Sequence, residues 1–393
     1  MELTNKQEAG LKLAVQRHRA GEKYTVISGY AGTGKSTLVR FIIEALDVEE
    51  SKVCYSAYTG KATEVLRKKG NKNVCTLHKL LYDHFPRPAG GFYRKPKGQI
   101  DYDIVIVDEV SMVPKELIDL LLKHKCYIIF LGDPFQLPPI DKNEDNHLLD
   151  KPHIFLDEVM RQAKESEIIR LTMDIRGGNP ISIAQGNEVI VLDKKDLNTG
   201  MLLWADQVLV ATNAARQKIN TQMRQLLGFE GNPKDGDKVI CLRNYWDEFS
   251  EKEGDPLVNG TIGYLKNGFE TFREIPYYIP AENRRLRVWQ TNFLVGDDYY
   301  PDLETDLDMI NTGQKCCDWR VAYKLNKLKP KLGEIVPKEF AYAYAITCWK
   351  AQGSEWPKVL VLEEQFPFDR ETHAKFLYTA CTRSSEKLVW VKN

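Results

Sequence analysis

The sequence predicts an α/β protein with two parallel-sheet units and a smaller β-rich insertion. Two observations carry that expectation. Short apolar runs ending in polar motifs alternate with helix-compatible stretches, the pattern of a parallel sheet with crossover helices. Over residues 233–335 the texture changes to short strand-like pieces broken by turns, as in a small β-barrel. At 393 residues the chain is long enough for two or three compact units. Its 43% hydrophobic and 28% charged residues suit a chain with buried cores.

In the first unit the apolar runs are Tyr24–Ser28, Val53–Ala57, Ile104–Val107 and Tyr127–Leu131, separated by stretches such as Lys35–Leu46 and Pro114–Leu122. Functional residues on such a sheet belong at the carboxyl ends of its strands. The segment His84–Gly98 departs from the pattern: it is rich in Pro and Gly and carries four Arg/Lys and no acid. Residues 82–99 therefore read as a loop or hairpin inserted into the first unit. A second unit begins near Arg161, with strand candidates Val208–Thr212, Lys358–Leu362 and Leu388–Val391. The β-rich insertion within it contains Lys238–Leu242, Thr261–Leu265 and Arg287–Thr291.

The bulk numbers exclude several classes. No run approaches the roughly 18 apolar residues of a membrane span. Residues 1–19 mix charged and apolar side chains without a signal-peptide core. The eight cysteines form no C-x-x-C pair, so they read as reduced thiols of a cytosolic protein. Lys plus Arg equals Asp plus Glu at 55 each. A passive, strongly basic nucleic-acid coat is thereby disfavoured, whereas a protein that grips phosphates locally and releases them is not.

The chemistry is concentrated in three strand-end motifs. Gly29-Tyr30-Ala31-Gly32-Thr33-Gly34-Lys35-Ser36 fits G-x-x-x-x-G-K-[ST] between a strand and a helix. Its glycines let backbone N–H groups wrap phosphates, and the helix N-terminus adds its positive end. Lys35 then reaches the β/γ-phosphates and Ser36 ligates Mg²⁺, so ATP and Mg²⁺ are the expected cofactors. Asp108-Glu109 follows the apolar run Ile104–Val107: Asp108 suits the Mg²⁺ and Glu109 the base that orients the attacking water. Gln136, in Gly132–Pro139, can bond both the γ-phosphate and that water.

These motifs and several others together resemble the superfamily 1 helicases. Gly29–Thr37, Ala57–Ala62, Thr76-Leu77-His78, Asp108–Met112 and Gly132–Pro139 resemble motifs I, Ia, Ib, II and III. Gln352-Gly353-Ser354-Glu355 resembles motif V, and Tyr378–Arg383 resembles motif VI. The set resembles the RecD-like/Dda branch, 1B, and Val258–Gly263 resembles part of that branch's SH3-like insertion. The resemblance implies two RecA-like domains, 1A (1–81 and 100–160) and 2A (161–232 and 336–393). It also implies a pin, 1B (82–99), and an SH3-like insertion, 2B (233–335). For the nucleotide it implies Gln7 as an adenine reader, Gly32, Thr33, Gly34, Lys35, Ser36 and Thr37 from motif I, and Gly353 and Glu355 from motif V. Arg161 and Arg383 match arginines that approach the γ-phosphate from the second domain, where a planar, always-charged guanidinium stabilises transition-state charge.

A single-strand track needs donors for phosphates and aromatic faces for bases. Thr59, Lys61, Thr76 and His78 follow first-unit strands where relatives bind phosphates, with Asn259 and Thr347 as further candidates. Tyr58 and Phe135 are candidates for base stacking, with core packing as the alternative. Trp349 stands where relatives commonly carry His, and either stacks on a base or packs between domains. Phe85, Phe92 or Tyr93 in the pin region could stack on a terminal base pair, or stand as incidental aromatics of a surface loop. Arg320, Lys324, Lys327, Lys329 and Lys331 form a basic run that either meets phosphates or is a solvated face.

The expected function is an ATP-dependent DNA helicase acting on single-stranded DNA and single/double-strand junctions, with 5′→3′ movement implied by the family alone. An RNA-directed superfamily 1 helicase and a non-motor P-loop switch are the alternatives. By analogy the chain works as a monomer in the cytoplasm of a bacterial or phage-infected cell, away from membranes, with replication or recombination proteins as partners.

Overall fold

The computed structural model describes residues 3–86, 92–139, 146–160, 163–252, 254, 256–268, 273–279, 284–313, 337–364 and 369–393. The chain divides into two compact units: residues 1–82, 96–212 and 346–393, and residues 83–95 and 213–345.

The first unit opens on a helix, Asn5–Arg19, started by a capping box in which Thr4 and Gln7 satisfy each other's backbone N–H groups. Next come Tyr24–Gly29 (β1), Val53–Ala57 (β2) and Val74–Thr76 (β3). Tyr82–Pro86 (β4) and Phe92–Pro96 (β5) form a two-stranded hairpin, followed by Ile104–Asp108 (β6), Tyr127–Gly132 (β7) and Ile154–Leu156 (β8). The first sheet runs β3-β2-β6-β7-β1-β8, with every described pairing parallel. Its strands read as unbroken apolar runs because both faces are covered. Val26, Val105, Val107, Ile128 and Phe130 point to one side, against Leu77, Leu81, Leu117 and Leu121. Ile27, Ile104, Ile106, Ile129 and Leu131 point to the other, against Leu38, Val39 and Ile42 of the helix Lys35–Leu46.

The same unit holds a second six-stranded sheet. Its strands are Ala184–Gln185 (β9), Val189–Asp193 (β10) and Gln207–Val210 (β11), joined by Ala345–Thr347, Trp356–Leu362 and Ser384–Lys392 from the end of the chain. Val208–Leu209 pair in parallel with Leu360–Val361, and Leu360–Leu362 with Val389–Val391. The apolar run at 208–212 leaves the sheet at Val210 because the Glu364 carboxylate accepts the N–H of Ala211 and, at 2.9 Å, that of Thr212.

The second unit is an antiparallel sheet in which Lys238–Cys241 is flanked by Ile262–Lys266 and Phe340–Tyr342. Arg284–Val295 pairs with Ile262–Lys266, Arg273–Ile279 and Asp298–Asp306. Arg224, on the helix Asn213–Leu226, is buried against a wholly buried Asp237: Nε and Nη2 reach its two carboxylate oxygens at 3.0 and 3.1 Å. Nη1 and Nη2 also donate to Gly231 O and Asn232 O, each at 2.8 Å, so four of the five guanidinium N–H groups are bonded. The described residues of the hairpin, 83–86 and 92–95, cluster with the second unit. Among the described residues no helix is long and apolar enough to cross a membrane.

Candidate nucleotide-binding cleft and nucleic-acid track

At the end of β1 the chain turns through two left-handed glycines, Gly32 (φ 74°) and Gly34 (φ 78°), before the helix Lys35–Leu46. Glycine carries no penalty there. Packing also requires glycine at Gly29, where a Cβ would lie 2.8 Å from Leu156 O, while one on Gly34 would come 2.5 Å from Gln7 Nε2 and displace that amide. Lys35 Nζ donates to Gly29 O (2.6 Å) and Tyr30 O (3.0 Å), which holds the ammonium over the loop.

Across the sheet, β6 ends in Asp108, whose Oδ1 accepts the Glu109 N–H at 2.9 Å. Glu109 is left-handed (φ 52°), a conformation costing a non-glycine residue about 1–2 kcal/mol, and both carboxylates line one cavity. Burial, then the neighbouring Glu109, push the Asp108 carboxyl above its ordinary range, while Lys69 and Lys35 oppose the shift. Two acids so placed favour a cation.

The cavity, of about 310 Å³, is lined by Gly32, Thr33, Gly34, Lys35, Ser36, Asp108, Glu109 and Gln136 beside the first sheet, and by Gly353, Glu355 and Arg383 beside the second. Gln136 Oε1 is buried there without a hydrogen-bond partner. Arg383 is 6% exposed. Its Nε donates to Thr379 O (3.1 Å), Nη2 to Thr382 Oγ1 (3.1 Å) and Nη1 to Ser354 O (3.4 Å), and Nη1 lies 3.6 Å from Glu109 Oε1. The residues thus fit a magnesium nucleotide. A loop of N–H donors crowded against any added Cβ, a lysine, paired acids and an orphaned amide oxygen converge on one space.

Two expected nucleotide contacts stand apart from it. Gln7 does not line the cavity and is wholly buried. Its Oε1 accepts the Thr4 N–H (3.0 Å) and its Nε2 donates to Thr33 O (3.2 Å). The amide that the family resemblance assigned to adenine is bonded here to the helix cap and to the phosphate loop, which it buttresses. Thr37 follows on the helix and also lies off the cavity. Arg161 lies outside the described residues.

Lys69, Asp133 and Tyr378 are the additions the sequence reading missed. Lys69 lines the cavity beside Asp108. Asp133 and Tyr378 are buried and joined by a 2.6 Å bond from Tyr378 Oη to Asp133 Oδ2. Both stood within recognised segments, but the 245 positions between them gave no local signal of pairing.

Residues 2–192 match the family described as an AAA domain, and residues 342–391 the UvrD-like helicase C-terminal domain. The chain is 26% identical to the ATP-dependent RecD2 DNA helicase of Deinococcus radiodurans over 94% of its own length and 47% of that protein. It is 32% identical to the RecD subunit of the RecBCD enzyme of Buchnera aphidicola, over 93% of this chain and 69% of that one. The chain belongs to the RecD-like superfamily 1B DNA helicases. It spans about half the length of the Deinococcus relative. A crystal structure of Pif1 helicase from Bacteroides, in complex with ADP-AlF3 and single-stranded DNA, has a TM-score of 0.51 at 18% identity, covering 99% of this chain and 92% of that one. That likeness shows a shared fold.

In this superfamily 1B chain the expected strand-contacting residues of the first sheet gather at one edge. Thr76, Ala57 and Asp108 stand in register across β3, β2 and β6. Thr59 and Thr76 cap the helices that follow, accepting the Ala62 and Lys79 N–H groups at 3.2 Å. Lys61 pairs with Glu64 at 2.6 Å. The Tyr58 ring lies 5.7 Å from His78, which stacks at 6.1 Å on Tyr82. Phe135, half-buried, meets the Tyr378 ring edge-on with centroids 5.2 Å apart. Trp349 Nε1 donates to Pro138 O (3.1 Å), which ties it to the motif III segment. Thr347 is half-buried at the start of the helix Cys348–Ala351. Asn259 lies in the second unit, its N–H bonded to Asn244 Oδ1 at 2.8 Å, and Phe92 lies on β5. The basic run at 320–331 and residues 87–91 of the expected pin lie outside the described residues.

Proposed function

We propose that this chain is a DNA-stimulated ATPase that moves along single-stranded DNA and separates duplexes at single/double-strand junctions. One observation carries the reading: the acids and phosphate loop beside one parallel sheet and Arg383 beside the other line a single cleft. A phosphate switch needs the first set; a motor that opens and closes needs both.

In this reading the N–H groups of Gly32–Ser36 and the Lys35 ammonium bind the phosphates, while Ser36 and Asp108 hold Mg²⁺. The ion would supply charge neutralisation on the transferring phosphoryl group. Glu109 takes the proton of the attacking water, Gln136 orients that water, and Arg383 stabilises charge that develops as the bond to the leaving oxygen breaks. Closing and reopening the cleft alternates the grip of Thr59, Thr76, His78 and Thr347 on the strand. We further read 1–81 with 100–160 and 161–232 with 336–393 as the two RecA-like domains, 82–99 as the duplex-splitting pin and 233–335 as an SH3-like insertion. The antiparallel sheet around Lys238–Cys241 supports that last part. The 5′→3′ direction rests on family membership.

The test is ATP turnover with and without single-stranded DNA or RNA, followed by unwinding of duplexes bearing only a 5′ or only a 3′ tail. The expected result is DNA stimulation, 5′-tail preference, and loss of turnover in Lys35→Ala with an unchanged far-UV spectrum. Retained turnover in that variant would refute the site. Preference for the 3′ tail would refute the direction, and stronger stimulation by RNA the substrate.

A further inference from the structure

The segment 133–138 carries Gln136 into the cleft, yet its own anchors come from residues beside the second sheet. Thr379 Oγ1 accepts the Leu137 N–H at 2.9 Å, and Gln352 Nε2 donates to Leu137 O at 2.6 Å. At the other end of the segment, Tyr378 Oη donates to Asp133 Oδ2 at 2.6 Å, while Asp133 Oδ1 accepts the Phe135 N–H at 2.9 Å. The same tyrosine oxygen accepts the N–H of Ala31 at 2.8 Å. Ala31 belongs to the phosphate loop, where successive N–H groups are the ligand donors. Tyr378 is 1% exposed and Asp133 2%, so no solvent takes over either partner.

We propose that Tyr378 is a positioning residue coupling the phosphate loop to the segment that aims Gln136, through a hydroxyl shared between Ala31 N–H and Asp133. The inference rests on the ATPase reading above. An incoming phosphate draws on the loop's N–H groups, so it alters the bond from Ala31 to Tyr378 Oη. The hydroxyl donates to Asp133 on its other side, and hydrogen-bonded chains in a buried site respond together. Leu137 is held by the adjacent Thr379, so a shift at Tyr378 is felt at both ends of the segment that holds Gln136. The coupling bears on turnover, because Gln136 serves the attacking water, and little on nucleotide affinity, which the remaining loop donors and Lys35 supply.

The experiment compares wild type, Tyr378→Phe, Asp133→Asn and the double variant in DNA-stimulated ATP turnover and in binding of a fluorescent ATP analogue. Phenylalanine keeps the ring against Phe135 and removes only the hydroxyl. Asparagine keeps the acceptor for Phe135 N–H and replaces the other oxygen with a donor. Each single change is expected to lower kcat about tenfold, equivalent to about 1.4 kcal/mol, with KM and analogue affinity moving less than about threefold. The double variant should be no slower than the slower single, because both remove the Tyr378–Asp133 bond and Tyr378→Phe already removes the one to Ala31 as well. Unchanged kcat in Tyr378→Phe overturns the proposal, as do losses that add, or a rise in KM with kcat preserved. Should Tyr378→Phe melt early, Asp133→Asn alone decides by the same split of kcat from KM. Wild type without DNA-stimulated turnover would instead sink the underlying ATPase reading.

Discussion

Replacing Arg383 with alanine removes the guanidinium that, among the described residues, the structure sets against the paired acids of the cleft. The side chain is almost wholly buried and held by Thr379 O, Thr382 Oγ1 and Ser354 O, so it spends little entropy in reaching its working position. Its Nη1 lies 3.6 Å from Glu109 Oε1. At the effective dielectric of about 20 that suits such sites, unit charges at that separation interact by roughly 4–5 kcal/mol. If most of this reappears as stabilisation of charge developing on the phosphoryl group, the loss is about a thousandfold in turnover, the usual scale for an arginine finger. The assay is steady-state hydrolysis at saturating DNA beside a fluorescent-nucleotide titration, with a thermal melt to show that losing the Ser354 and Thr379 contacts has not opened the fold. Arg383→Lys keeps the charge without the planar fork and should fall between the two. Turnover of Arg383→Ala within about threefold of wild type would show that the guanidinium is a structural clip, and the motor reading would lose its second half.

Gly34→Ala places a Cβ 2.5 Å from Gln7 Nε2 in a left-handed residue. It should weaken nucleotide binding by at least tenfold, since about 1–2 kcal/mol of backbone strain adds to the displacement of the Gln7 buttress; unchanged affinity in a nucleotide titration would contradict the crowding. Arg224→Ala strands Asp237, which is wholly buried. A loss of about 3–5 kcal/mol is expected when one partner of a buried pair is removed, and it should appear in urea unfolding as an earlier transition of the second unit. A midpoint equal to wild type would count against it.

Much of the first sheet was legible because buried parallel strands announce themselves as unbroken apolar runs. Ile104–Val107 and Tyr127–Leu131 have no polar alternation to confuse them, and each is followed within two residues by an acid, Asp108 or Asp133. Val74–Thr76 and Ile154–Leu156 escaped because three residues are too few to carry a period. In the second unit Arg287–Thr291 was seen as a short piece of a strand that runs from Arg284 to Val295. The family resemblance named Gln7 as an adenine reader, and the structure adds its bonds to Thr4 and Thr33; composition around a lone glutamine carries no sign of such partners.

What the sequence determined by itself is local chemistry at strand ends. The phosphate loop needs glycines at left-handed positions and a lysine at the start of a helix, and Asp108-Glu109 needs a buried strand to deliver it. Spacing within a few residues is enough to specify each. The tertiary structure alone decided which distant groups meet: Tyr378 with Ala31 and Asp133, Trp349 with Pro138, and Arg383 with Glu109. Those contacts join residues separated by hundreds of positions and depend on how helices pack between two sheets. Local propensity is silent about such packing, and a hydrogen bond exists only where packing brings donor and acceptor together.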